Sequence, residues 1–250
     1  MMGRSHATIG ALCGLGIGVA SSGTGRPEMI VVSTLVGAGA GLLPDLDEEN
    51  STVAKAGGFA TEIVSHITAK VAGGHRQATH SFMGISVLVG AIAVAGLLSG
   101  DVTAVVGGLL AGLAVRVAAR VIHLGRLKRF AAEVVVGAAV GWLLVGVPIW
   151  LVLAIVAAGM ISHTIADDFT DSGTPLLWPS RRRFTLHLFH TGSPAETWVR
   201  FGLYGGLVAA AYFAISPHAV VLGAQVSHSF GPVAAIGRSH VAEVLRHGGR

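Results

Sequence analysis

Long apolar runs separated by short polar breaks make up most of the chain. Residues 7–22 and 29–43 are glycine-rich apolar segments of about sixteen residues, below the roughly 20 that a straight spanning helix needs. They are expected as short spans, tilted partners or re-entrant pieces, with small residues that let backbones pack closely in lipid. After a polar break at 43–51 (LPDLDEENS), Phe59, Ile63, Ile67 and Val71 recur every four residues, with Lys55, Glu62 and Lys70 nearby. That pattern predicts an amphipathic helix lying on a membrane surface. Further apolar runs follow at 82–98, 102–121, 131–147, 148–165 and 198–215, the third and fourth hinged at residues 146–148. A basic loop carrying Arg120, Arg126, Lys128 and Arg129 is expected between the runs at 102–121 and 131–147. The tail from Ser216, with His218, His228, His240 and His247, reads as a loosely ordered end. The organisation is therefore a membrane-embedded domain, 1–215, and a tail, 216–250.

Composition strengthens the membrane reading: 52% of residues are hydrophobic, only 12% are charged and mean hydropathy is +0.70, against about 25% charged in soluble domains. The net charge of +4 and pI near 9.8 point to anionic lipid head groups rather than nucleic acid, because the cations sit between apolar runs. Cys13 is the only cysteine, which excludes a disulfide framework and a cysteine-based zinc site. The first residues fit a retained helix at least as well as a signal peptide. If each run crosses the bilayer once, the polar breaks near residues 6, 45, 75, 126 and 163–196 share one side. Arg4, Lys55, Lys70, Arg76, Arg120, Arg126, Lys128, Arg129, Arg181, Arg182, Arg183 and Arg200 then lie there, against Arg26 in the short loops opposite. By the positive-inside rule that face is cytoplasmic.

Twelve histidines against 13 acids is unusual for such a chain. His163 and Asp167 stand four apart, so on a helix they share one face and can hold a single cation. Asp168, Thr170 and Asp171 follow, Gly173 and Pro175 end the helix, and Trp178 suits a membrane surface. A helix cap and a solvated face would account for the same pair. With His6, Asp45, Asp47, His75, His80 and Glu196, the expected face collects four imidazoles and four carboxylates, enough for two or three cations. Ionisable groups at the membrane edge are costly and a converging set implies function, although polar loops beside a helical bundle would also carry them. Arg76, beside His75, is either a phosphate clamp or a lipid-facing charge. Thr79, Ser81 and Thr170 either orient ligands or cap helices. His66 and His123 read as structural, and His187 and His190 as reserve ligands. There is no His-Glu-x-x-His, no Gly-x-Ser-x-Gly elbow and no phosphate-binding P-loop.

The ordered motifs LPDLD at 43–47, HRQATHS at 75–81 and GMISHTIADDFTDSGTPLLWP at 159–179 closely resemble those of the YdjM-type inner-membrane proteins, described as LexA-regulated, membrane-bound metal-dependent hydrolases. The resemblance covers about residues 4–200. It extends more distantly to zinc-dependent phospholipase C and the S1/P1-type nucleases, whose His-x-x-x-Asp pair is similar to His163 and Asp167. It implies metal ligation by His6, Asp45, Asp47, His75, His80, His163, Asp167 and Glu196, catalytic roles for Asp47, Arg76 and Asp167, and a divalent metal, zinc or manganese. Glu48 stands where the family carries a histidine, and Gly192 where the phospholipases place the histidine of a His-x-x-x-Glu pair, so one or two metal ions are easier to hold than three.

The resulting expectation is an all-α, polytopic transmembrane helical bundle of a bacterial inner membrane, with a metal site at its cytoplasmic helix ends. Its activity would be hydrolysis by metal-activated water of a phosphoester in a lipid or lipid-linked substrate. The competing expectation is a noncatalytic metal-binding protein or a transporter; a transporter would place ionisable residues mid-span along a path.

Overall fold

A computed structural model describes residues 1–21, 26–56 and 59–215. The tail expected to be loosely ordered, 216–250, lies outside the described residues, as do its four histidines. Among the described residues the chain forms eight α-helices: α1 (Gly3–Ser21), α2 (Glu28–Ala40), α3 (Phe59–Ala72), α4 (Phe82–Leu98), α5 (Val102–Val121), α6 (Arg126–Leu143), α7 (Ile149–Asp168) and α8 (Pro194–Ile215). Two short 3-10 turns, Pro44–Asp47 and Ala78–His80, lie between them. No strand is present among the described residues, only isolated bridges pairing Thr170 with Phe189 and Thr174 with Phe184. The all-α architecture is as the apolar pattern predicts. Three stretches, Glu28–Asp47, α5 and α7, are long and apolar enough to cross a membrane, and α4 is a shorter apolar helix.

Two of the boundaries that differ from the hydropathy reading move charged or polar side chains into helices. α1 begins at Gly3 rather than near residue 7, which carries Ser5 and His6 into its first turns, both fully buried. Arg126, Lys128 and Arg129 belong to the first turn of α6 instead of a basic loop. Cations at a helix N-terminus oppose the macrodipole; these are largely exposed, where that cost is small.

Helices in lipid gain little from burying apolar surface, so close packing must hold them together. Glycine supplies it at several crossings. A Cβ on Gly10 would stand 2.3 Å from the Gly37 carbonyl oxygen, and one on Gly41 would stand 2.5 Å from that of His6, so α1 and the end of α2 touch backbone to backbone. α5 and α6 meet the same way, with a Cβ on Gly108 falling 2.6 Å from the Gly137 oxygen. Between α2, α5 and α7 lies the core of Val36, Ala40, Ala111, Val152, Ile155 and Val156, all fully buried. Gly159 lets α7 rest against Ala40 and Gly41, which brings the end of α7 beside the 3-10 turn that follows α2.

α3 behaves as its stripe predicts. Phe59, Ile63, Ile67 and Val71 are all exposed, Phe59 by 78% and Val71 by 79%, so the apolar face points away from the protein. At the end where the motifs gather, Arg116 donates to the Lys55 carbonyl and Arg120 to Thr52 Oγ1. Arg26 instead donates to the Leu143 carbonyl at the C-terminal end of α6.

Candidate metal centre

Four segments deliver the polar residues to one end of the bundle. Pro44, with its fixed φ, opens the 3-10 turn that carries Asp45 and Asp47. After α3, Gly73 and Gly74 adopt φ of 85° and 109°, values open to glycine at little cost, and reverse the chain into residues 75–81. Ser81 then caps α4, its Oγ accepting from the Gly84 amide at 3.1 Å. α7 runs without a break to Asp168 and presents His163 and Asp167 one turn apart, both completely buried. α1 contributes His6.

Three overlapping groups of potential ligands result: His6, Asp45 and His163; Asp45, His75 and His80; and His80, His163 and Asp167. Within each, the ligand atoms lie within 4.8 Å of one another. Asp45, His80 and His163 each serve two groups. Asp47 stands behind them. Its carboxylate takes His75 Nδ1 at 2.8 Å and the Arg76 amide at 3.1 Å, accepts a short hydrogen bond from Thr79 Oγ1, and lies 3.4 Å from His80 Nδ1. Burial disfavours a charged His75, but the Asp47 hydrogen bond and charge outweigh it and raise its pKa above the ordinary value.

The hydrogen bonds assign the imidazole tautomers at the centre of the cluster. His163 Nδ1 faces the Gly41 carbonyl at 2.7 Å and must donate to it. Thr79 gives its hydroxyl proton to Asp47, so His80 Nδ1, 3.0 Å from Thr79 Oγ1, is the donor in that contact. Each ring, in its neutral form, is then left with a bare Nε2 lone pair, and these two nitrogens are 3.1 Å apart. Asp45 Oδ1 stands 3.6 Å from His163 Nε2 and 3.9 Å from His80 Nε2, while Asp167 Oδ2 is 3.7 and 3.6 Å from them. Lone pairs and carboxylate oxygens all converge. Such a set of donors is able to hold a cation, imidazole and carboxylate without thiolate suiting a hard or borderline metal ion. Three buried atoms in the same place lack an aligned partner: His6 Nδ1, Arg76 Nε and Asp167 Oδ2, the last two 3.0 Å apart. His6 stacks on His163 with ring centroids 3.5 Å apart, and its Nε2 lies 3.2 Å from Asp167 Oδ1.

Of the residues singled out in the sequence, six enter these groups directly: His6, Asp45, His75, His80, His163 and Asp167. Asp47 supports them from behind. Arg76 does not face lipid, since it is buried. Its Nη2 donates to Asp167 Oδ1 at 3.0 Å, its Nε lies 3.0 Å from Oδ2, and its Nη1 reaches Thr170 Oγ1 at 3.4 Å. Glu196 is fully buried but outside the groups, accepting from the Met2 amide, Ser5 Oγ and the Gly192 amide; it ties the start of α1 to the start of α8. Glu48 accepts from the Asn50 amide and also lies outside the groups. His187 and His190 meet Asp171 on the surface rather than the cluster, and His66 pairs with Glu49.

Sequence reasoning missed the Gly41 carbonyl as the anchor of His163, the Met1 nitrogen in contact with Asp167, and the Arg116–Glu133 ion pair between α5 and α6. Only the last left a signal, as two charges inside apolar runs. The pattern of the YdjM inner membrane protein family matches residues 1–229. The chain belongs to that family. No curated protein and no solved structure matches it. Membership, together with the three apolar helices, makes this an inner membrane protein whose His and Asp side chains form groups able to hold a metal ion.

Proposed function

We propose that the protein is a membrane-bound, metal-dependent hydrolase acting on a phosphoester of a lipid or lipid-linked substrate, with its cluster on the cytoplasmic face. The observation that carries the metal is the pair of bare Nε2 atoms, His80 and His163, 3.1 Å apart between two carboxylates. A divalent cation in such a cradle supplies the lowered pKa of water, from about 15.7 toward 7, that hydrolysis at neutral pH requires. The chain's own residues do the rest. Asp47 and Thr79 hold His75 and His80 in register, and the Gly41 carbonyl does the same for His163; such outer partners fix ring orientation and tautomer. Arg76 keeps the Asp167 carboxylate aligned through two contacts and brings positive charge beside the position a phosphate would take. Substrate access is from the Asp45 and His75 side, whose side chains keep 18% and 35% of their surface exposed while His6, His80, His163 and Asp167 keep at most 1%.

Placement of the ionisable residues at helix ends favours hydrolysis over transport, because a transporter lines a path at mid-span. The orientation rests on the cation asymmetry described above. The test is purification in detergent, elemental analysis of bound metal, and assay of phospholipid and generic phosphodiester turnover for wild type and His163→Ala. Metal and turnover should be lost together in the variant. Metal uptake into proteoliposomes by a wild type without hydrolytic activity would overturn the reading.

A further inference from the structure

A groove of about 880 Å³ runs along the outer side of α5 and α6 and under α3, within the range of pockets that hold one ligand. Its walls are apolar, among them Leu109, Val134, Ala138 and Trp142, and it is open to the exterior. α5 is one of the three helices long and apolar enough to span a membrane, so a groove along it would face lipid in a bilayer. Its polar lining is at one end, where Arg116 and Glu133 pair. Beyond that rim Arg120 stands in electrostatic reach of Arg4, Arg116 and Arg129, with Glu133 the acid among them, leaving an excess of positive charge. The Pro44–Asp47 turn borders this end as well. Leu43 and Leu46 line the groove, while Asp45, between them in sequence, belongs to the metal groups. Apolar depth, a cationic rim and a neighbouring carboxylate–imidazole cluster match an amphiphile with a long chain and a negative headgroup.

We propose that this groove binds one acyl chain of an anionic glycerophospholipid and sets its phosphate at the Arg116–Arg120 rim, beside the metal centre. That the bound lipid belongs to the substrate class rests on the hydrolase reading; the binding itself does not.

The test uses the full chain with Trp142 as its only tryptophan, made by Trp150→Phe, Trp178→Phe and Trp198→Phe, in phosphatidylcholine nanodiscs containing chelator. Phosphatidylglycerol with brominated acyl chains is titrated in, and Trp142 fluorescence is followed. Quenching should saturate while the brominated lipid is still a minor component. Ala138→Phe and Val134→Phe fill the groove from exposed positions, and Arg120→Gln weakens its rim; each should move the midpoint by about tenfold. Quenching that rises in proportion to brominated lipid, an identical curve with brominated phosphatidylcholine, or a curve that none of the three substitutions moves would overturn the proposal. Saturable quenching in a protein that turns over no phosphoester would sink the hydrolase reading and leave the groove standing. Turnover without saturable quenching would do the reverse.

Discussion

Charge is buried in this bundle in two different ways. Between α5 and α6, Arg116 and Glu133 form a closed pair: Nη2 donates to Oε2 at 3.0 Å, Nε lies 2.8 Å from Oε1, and one positive charge meets one negative. At the motif end, four imidazoles and two carboxylates converge, and the cations present, Arg76 and the Met1 nitrogen, both go to Asp167. The first arrangement balances its charge. The second gathers more acceptors than cations, and that imbalance, rather than burial, is what the metal proposal rests on.

The contrast predicts different responses to substitution. The largest effect should come from His163→Ala, which removes a member of two ligand groups. Bound metal and turnover should fall at least about a hundredfold, the upper end of what losing an outer-shell partner costs; retention of metal on elemental analysis would make the cluster an ordinary polar core. Next, Glu133→Gln should destabilise the fold by about 1–3 kcal/mol by leaving the partly buried Arg116 without its counter-ion, while Arg116→Met with Glu133→Leu should be close to neutral. Neither should change metal content, so a thermal melt paired with elemental analysis separates the two kinds of charge. Thr79→Val, which leaves Asp47 and His80 Nδ1 without their shared hydroxyl, should weaken metal affinity about 10- to 100-fold with the fold intact, read by titration with a competing chelator.

The smallest effect concerns His75 in metal-free protein. Its pKa is raised from 6.5 by Asp47, so the stability from this pair is fully present below about pH 6.5 and is lost as pH rises through the elevated folded value. Denaturant melts in chelator should show a shallow decline over that window, absent in His75→Gln. An unchanged slope would mean that Asp47 does not hold a charged His75.

Much of the fold was legible because lipid imposes a coarse rule. An apolar run must become a helix to satisfy its own backbone, so the runs map onto α1, α2 and α4 to α8, and the four-residue recurrence of Phe59, Ile63, Ile67 and Val71 onto α3. What was not legible were contacts without a local signature. Nothing in Gly41 announces that its carbonyl orients a histidine more than a hundred residues away. Arg76 read equally well as a lipid-facing charge, and only the arrival of α7 beside residues 75–80 turns it inward onto Asp167.

The sequence by itself determined that this is a helical membrane protein of the YdjM family, and which histidines and aspartates were available at helix ends, because hydropathy and motif spacing are local properties. Tertiary structure decided which of them meet: His6, Asp45, His75, His80, His163 and Asp167 in shared groups, Asp47 behind them, Glu196 elsewhere. The physical reason is the close approach of backbones at Gly10, Gly37, Gly41 and Gly159, which sets helix ends within ångströms of one another and which no single segment encodes.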